Sequence, residues 1–229
     1  MVVIGEGAID DILLPPLIGT IANYYGAMWP IHFERDISIS LRRGTGFGAV
    51  MVAVRNLVEM IKNKPDLFKR IADRVLIVLD RKTEQAQADI NKLIAPYDSF
   101  FLTIAVEEIE AWVLADREHV TEWLGISQKD FPESPFWDKK YRSEYDPDPK
   151  RTLNQLVQRS KLPFEYWDTG AANDFIEKYW RGNYFTSYDF QPWENWDGKA
   201  EIDMMKRQSP NSFVSFEQYL VSLFVPMRK

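Results

Sequence analysis

Cysteine is absent from this chain of 229 residues, and histidine occurs only at His32 and His119. Those gaps exclude a disulfide framework, a thiolate zinc site, a cysteine nucleophile and a multi-histidine metal centre built from this chain alone. There is no G-x-S-x-G elbow, and neither histidine lies near a serine and carboxylate pattern that would suggest a hydrolase triad. Positive charge is also scarce: 28 lysines and arginines against 34 acids leave a net charge of -6. Any contact with nucleic acid therefore needs a local basic patch, a metal or a partner. The first basic residue is Arg35, so no cationic segment precedes the early apolar stretch and a secretory signal is not expected. Residues 12–33 carry no formal charge while His32 is neutral, a length that raises the membrane question. Pro15-Pro16, Gly19 and Gly26 within it read instead as a buried helix running into a strand. A cytoplasmic protein is the expectation.

Apolar residues make up 45% of the chain and charged residues 27%, a composition that argues for a folded protein over a disordered one. Val2-Val3-Ile4 predicts a short strand ended by Gly5-Glu6-Gly7. A helix is expected from Ile9 to about Tyr25, distorted or restarted at the two prolines. Ile31 to Leu41 alternates like a strand, and Arg42 to Gly48 is a glycine loop. Ala49 to Lys62 has apolar residues at helical spacing. Val75–Leu79 is a continuous apolar run, the pattern of a strand buried on both faces, and Phe100–Val106 reads as another buried strand. Helices are expected over Glu84–Ile94, Glu107 to about Leu124, Lys150–Gln158 and Ser212–Leu223. Alternating strands and helices predict an α/β core with a mostly parallel sheet over residues 1–125. Residues 126–229 read as a loop-rich, aromatic and helical extension packed on that core, with five of the eight tryptophans between Trp137 and Trp196.

Ligands of an open parallel sheet bind beyond the carboxyl ends of its strands. Acids stand at three such ends: Glu6 after the first strand, Asp80 and then Glu84 after the second run, and Glu107, Glu108 and Glu110 after the third. An oxygen-only donor set of this kind suits magnesium or manganese, which can activate water or clamp a phosphate oxygen. The same acids can equally serve as helix caps or first-turn charges. Glu110 and Asp116 lie about 240° apart on a regular helix and are not expected to share an ion. Trp112 is expected in the core, and His119, on a polar helical stretch, is expected at the surface.

The segments Gly5-Glu6-Gly7 and the buried strand ending at Asp80 resemble the TOPRIM fold of topoisomerases, primases and overcoming-lysogenisation-defect nucleases. Glu108-Ile109-Glu110-Ala111-Trp112-Val113-Leu114-Ala115-Asp116, Asp148-Pro149-Lys150 and Ser212-Phe213-Val214-Ser215-Phe216 resemble blocks of a TOPRIM-like family of uncharacterised bacterial proteins, often encoded beside ATPases. That resemblance implies that Glu6 is a general acid/base or metal ligand and that Asp80 holds magnesium. The chain departs from the family where a second aspartate is expected, since it reads Asp80-Arg81-Lys82. A charged lysine cannot ligate magnesium, but Lys82 can meet a phosphate oxygen or a transition-state charge. Glu84 can supply the missing carboxylate in a different geometry. Asp10 or Asp11 stands where the family has an acid soon after the first glutamate.

Arg42 and Arg43 in the glycine loop are candidates for phosphate contact, with a helix N-terminus following, or else solvated side chains of a turn. No Lys-Ser/Thr pair follows those glycines, so the loop is not a P-loop. A second basic run, Lys139-Lys140, Arg142, Lys150 and Arg151, is interleaved with Tyr141 and Tyr145 and can hold single-stranded nucleic acid or lie solvated. The function these residues lead to is a magnesium- or manganese-dependent nuclease. Glu6, Asp80 and Lys82 would be catalytic, Glu6, Asp80, Glu84 and Glu110 would hold the metal, and Arg42 and Arg43 would bind substrate. The resemblance adds an ATPase partner and a role in anti-phage defence. The alternative is a catalytically inactive TOPRIM-like scaffold subunit of an ATPase complex, motivated by Lys82.

Overall fold

The β-branched and aromatic runs of the sequence become strands, and the glycine and polar segments between them become turns and helix starts. The protein is described by a computed structural model over residues 1–26, 31–33, 41–42, 44–80, 84–105, 108–180, 189–190 and 201–224. The first half runs β1 (Val2–Ile4), α1 (Ala8–Tyr24), β2 (Ile31–His32), α2 (Phe47–Asn63), α3 (Pro65–Ile71), β3 (Val75–Asp80), α4 (Glu84–Ile94) and β4 (Phe100–Ala105). The second runs α5 (Glu110–Ala115), α6 (Arg117–Leu124), α7 (Pro149–Arg159), α8 (Thr169–Tyr179), β5 (Asp189–Phe190), α9 (Ile202–Gln208) and α10 (Ser212–Phe224).

Strands β1, β3 and β4 form a three-stranded parallel sheet in that spatial order, with helices on both faces, so the chain is α/β. Val3 pairs with Leu76 and Leu76 with Phe101. Side chains alternate between the two faces of the sheet. Val3, Leu76 and Val78 join one apolar cluster with α1, Trp112 and α10. Val2, Ile4, Val75, Ile77 and Leu79 join another with Val50 and Leu57 of α2, Phe68 of α3 and Ile90 of α4. Central strand β3 is thus buried on both faces, as its unbroken apolar run requires. The first cluster continues past residue 125 through Phe136, Leu153, Trp180 and Phe213, so the later elements share the sheet's core. Trp112 is fully buried there, stacked on Phe216 with ring centroids 4.7 Å apart, and its indole N–H donates to Ser212 Oγ at 2.9 Å.

Several expectations change. Helix α1 runs unbroken through Pro15 and Pro16. Proline in a helix interior costs about 3 kcal/mol. Every residue from Leu13 to Ala22 is buried, and that apolar burial offsets the cost. The helix expected from Glu107 to Leu124 is two helices separated at Asp116, while Glu107 itself lies outside the described residues. Asp116 is fully buried and accepts from Trp180 Nε1 at 2.6 Å and pairs with His119 Nδ1 at 2.9 Å. His119 is therefore buried, contrary to the surface position expected for it, because the same face of α6 carries Val120 and Trp123 into the core. Burial disfavours its imidazolium, but Asp116, with the charges of Glu201 and Glu122, outweighs that and raises its pKa. Only Ile31–His32 of the strand expected over Ile31–Leu41 is assigned, paired antiparallel with β5, and residues 34–40 lie outside the described residues. Among the described residues no helix is long and apolar enough to cross a membrane.

Gly5 is set by close approach. A Cβ there would stand 2.3 Å from Asp10 Cβ, a rigid neighbour at the start of α1. Gly5→Ala must therefore move α1 or the turn, and we expect it to lower stability by about 2 kcal/mol in urea unfolding. An unchanged midpoint would show that the turn has room.

Candidate functional site

Ile4 lies in register with Ile77, so the two residues that follow it bring Glu6 level with the end of β3. Glu6 Oε1 accepts from the backbone N–H of Asp80 at 3.0 Å. The first and second strand ends thus meet at the carboxyl edge of the sheet, and Glu6 is 7% exposed there.

The turn bearing Glu6 is fixed from both sides. Asp10, in the first turn of α1, accepts from the backbone N–H of Glu6 at 2.5 Å and of Gly7 at 2.9 Å with the same Oδ2. Arg42 donates to the Gly5 carbonyl at 2.9 Å and the Gly7 carbonyl at 3.3 Å. It also pairs with both oxygens of Asp11, at 3.0 and 2.6 Å, and its Nε donates to the Gly44 carbonyl at 2.9 Å. The glycine loop docks on the same turn, since Gly46 N donates to the Glu6 carbonyl at 2.6 Å. Gly46 has φ 79°, a left-handed conformation that side chains rarely adopt, and α2 begins at the next residue.

Arg42 is therefore 5% exposed with its donors turned inward to the protein, where the sequence offered it to phosphate. Its partner Asp11 lies 31 positions away, a pairing no local spacing reveals. Arg43 and Lys82 lie outside the described residues. Glu84 is exposed in the first turn of α4.

Glu110 is 5% exposed in the first turn of α5, close enough to Glu108 and Asp10 to feel their charges. Burial first, then the Glu108 and Asp10 carboxylates, push its pKa up to about 8 against the opposing pull of its own amide and Lys150. Burial likewise raises Asp10 to about 6, helped by the charges of Asp11 and Glu6 and resisted by its two backbone donors. Asp10 and Glu110, both shifted upward, thus lie in one acidic neighbourhood with Glu108, Asp11 and Glu6. Among the described residues, no three acids or histidines are grouped so as to hold a metal ion. The second basic run also reaches this edge: the Lys150 amide donates to Glu108 Oε2 at 3.3 Å. That proximity was invisible in the sequence, because 42 positions separate the two residues.

No family model, curated protein or solved structure matches the chain.

The Asp10 shift has a definite sign. A carboxyl whose folded pKa lies above its unfolded value stabilises the fold fully below about pH 4, and that contribution disappears as pH rises through about 6. Asp10→Asn keeps an acceptor oxygen for the turn and removes the titration. In EDTA its stability relative to wild type should rise by up to about 3 kcal/mol between pH 4 and pH 7. Parallel stability curves would show that Asp10 is ionised at little cost.

Proposed function

We propose that the protein is a divalent-metal-dependent nuclease working at the carboxyl edge of its parallel sheet, on a TOPRIM-like core. The observation that carries this reading is the bond from the Asp80 amide to Glu6 Oε1, which ties the Glu6 carboxylate to the end of the neighbouring strand β3, where Asp80 stands. The donors there are oxygen-only, the chemistry that magnesium and manganese prefer. Glu6 and Asp80 would hold the ion, which when bound supplies Lewis acidity and an activated water. Asp10 and Arg42 position Glu6 by fixing its turn. Glu110, protonated near neutral pH, can give a proton to a leaving oxygen beside the same edge. Control by an ATPase partner in anti-phage defence rests on the sequence resemblance alone.

The alternative of a non-catalytic scaffold is favoured by one observation: Arg42 is spent on Asp11 and backbone carbonyls, so it adds rigidity to the turn and no open cation to the edge. Titration calorimetry with magnesium and manganese separates the two readings. Wild type should bind the ion, and Asp80→Asn should bind it at least about tenfold more weakly. Glu6→Gln keeps the acceptor for the Asp80 amide and should cut cleavage of DNA or RNA by at least about 100-fold. Absence of ion binding in wild type, or full cleavage by Glu6→Gln, would sink the nuclease reading.

A further inference from the structure

The basic run of residues 139–151 lies against the helix that carries Glu110. Helix α5 packs on both the turn at Ser143–Tyr145 and on α7. The Lys150 amide reaches Glu108, and the Lys150 charge acts on Glu110. One carboxylate gathers the stretch: Asp146 accepts from Tyr141 Oη at 2.8 Å, Thr152 Oγ1 at 2.7 Å and the Asp148 amide at 3.0 Å.

The acids of the stretch are engaged with its own backbone or buried. Asp138 accepts from the Lys140 amide and Asp148 from the Arg151 amide. Glu144 is 1% exposed and is bound by Asn211 and the Ser212 amide at the start of α10. The cations turn outward instead. Lys139, Lys140, Lys150 and Arg151 are exposed and make no ion pair among the described residues. Tyr145 is 68% exposed, an aromatic ring left in water while Tyr141 is held inward by Asp146.

We propose that this face binds single-stranded nucleic acid, with phosphates on Lys139, Lys140, Lys150 and Arg151 and an unstacked base on Tyr145, and so leads the strand to the acidic sheet edge. Lysines and arginines without acidic partners release counterions from a phosphate backbone. A stacking ring needs a base free of its own duplex stack, which selects single strands over double ones. The inference supplies the substrate class for the nuclease reading and rests on that reading only for cleavage.

The test is fluorescence anisotropy in EDTA, where no cleavage can occur, with a labelled oligothymidylate of about 15 nucleotides and a duplex of equal length. The single strand should bind more tightly than the duplex. Tyr145→Ala, at an exposed ring, should weaken strand binding about tenfold. Lys139→Gln with Lys140→Gln should weaken it and flatten its salt dependence. Lys62→Gln with Lys69→Gln makes the same charge change on α2 and α3, which cover the other face of the sheet, and should leave binding unchanged. Undetectable strand binding, equal binding of duplex, wild-type binding by Tyr145→Ala, or an equal loss in the α2–α3 control would each overturn the proposal. Strand binding without cleavage in magnesium would sink the nuclease reading and leave this surface standing. Cleavage that ignores Tyr145 would do the reverse.

Discussion

The catalysis proposed for this protein depends on how the turn after β1 is held. Gly5-Glu6-Gly7 has no regular structure of its own, and the carboxylate it carries must be placed to within a fraction of an ångström for any chemistry. The fold meets that demand with buried charge. Asp10 takes two consecutive amides on one oxygen, while Arg42 takes the Gly5 and Gly7 carbonyls and is neutralised by Asp11. Removing one partner of such a buried pair costs about 3–5 kcal/mol, because the other charge is stranded. The arrangement is thus a rigid device that serves position more than net stability, since a buried ion pair is weak evidence of stability by itself.

The same economy recurs away from the sheet edge. Asp116 breaks what would be one helix into α5 and α6, and its buried carboxylate receives His119 and Trp180. Glu144 closes the N-terminus of α10, and Glu217 joins Lys206 at 2.8 Å and Tyr25 between α1, α9 and α10. Each of these acids ties segments far apart in sequence to one aromatic core. That shared core is why the elements after residue 125 pack as part of the sheet's support. It also lets residues 139–151 stand beside Glu108 and Glu110.

The sequence made the sheet readable because period and burial agree there. Val75–Asp80 is apolar without interruption, and it is the central strand. Glu84–Ile94 is amphipathic, and only Ile90 and Ile94 are buried. The meeting of Glu6 and Asp80 was legible too, since parallel neighbours must end at one edge. What local spacing could not reveal is pairing over distance. Arg42 looked like a phosphate contact because Asp11 is on another helix. His119 reads as exposed from the polar residues around it, whereas Asp116 and Tyr179 meet it on the side of α6 that turns Val120 and Trp123 to the core. Helix α8 was hidden in an aromatic stretch, although Asp168 caps it through the amides of Gly170 and Ala171. Helix α1 hid its continuity behind two prolines whose cost is offset by tertiary burial.

Anomalous diffraction from crystals soaked in manganese would test the central claim most directly. The account predicts one strong peak at coordination distance from the carboxylates of Glu6 and Asp80, at the carboxyl edge of β1 and β3, and none in crystals of Asp80→Asn. No peak at that edge, in crystals where Glu6 still accepts the Asp80 amide, would contradict it and leave the turn a purely structural device.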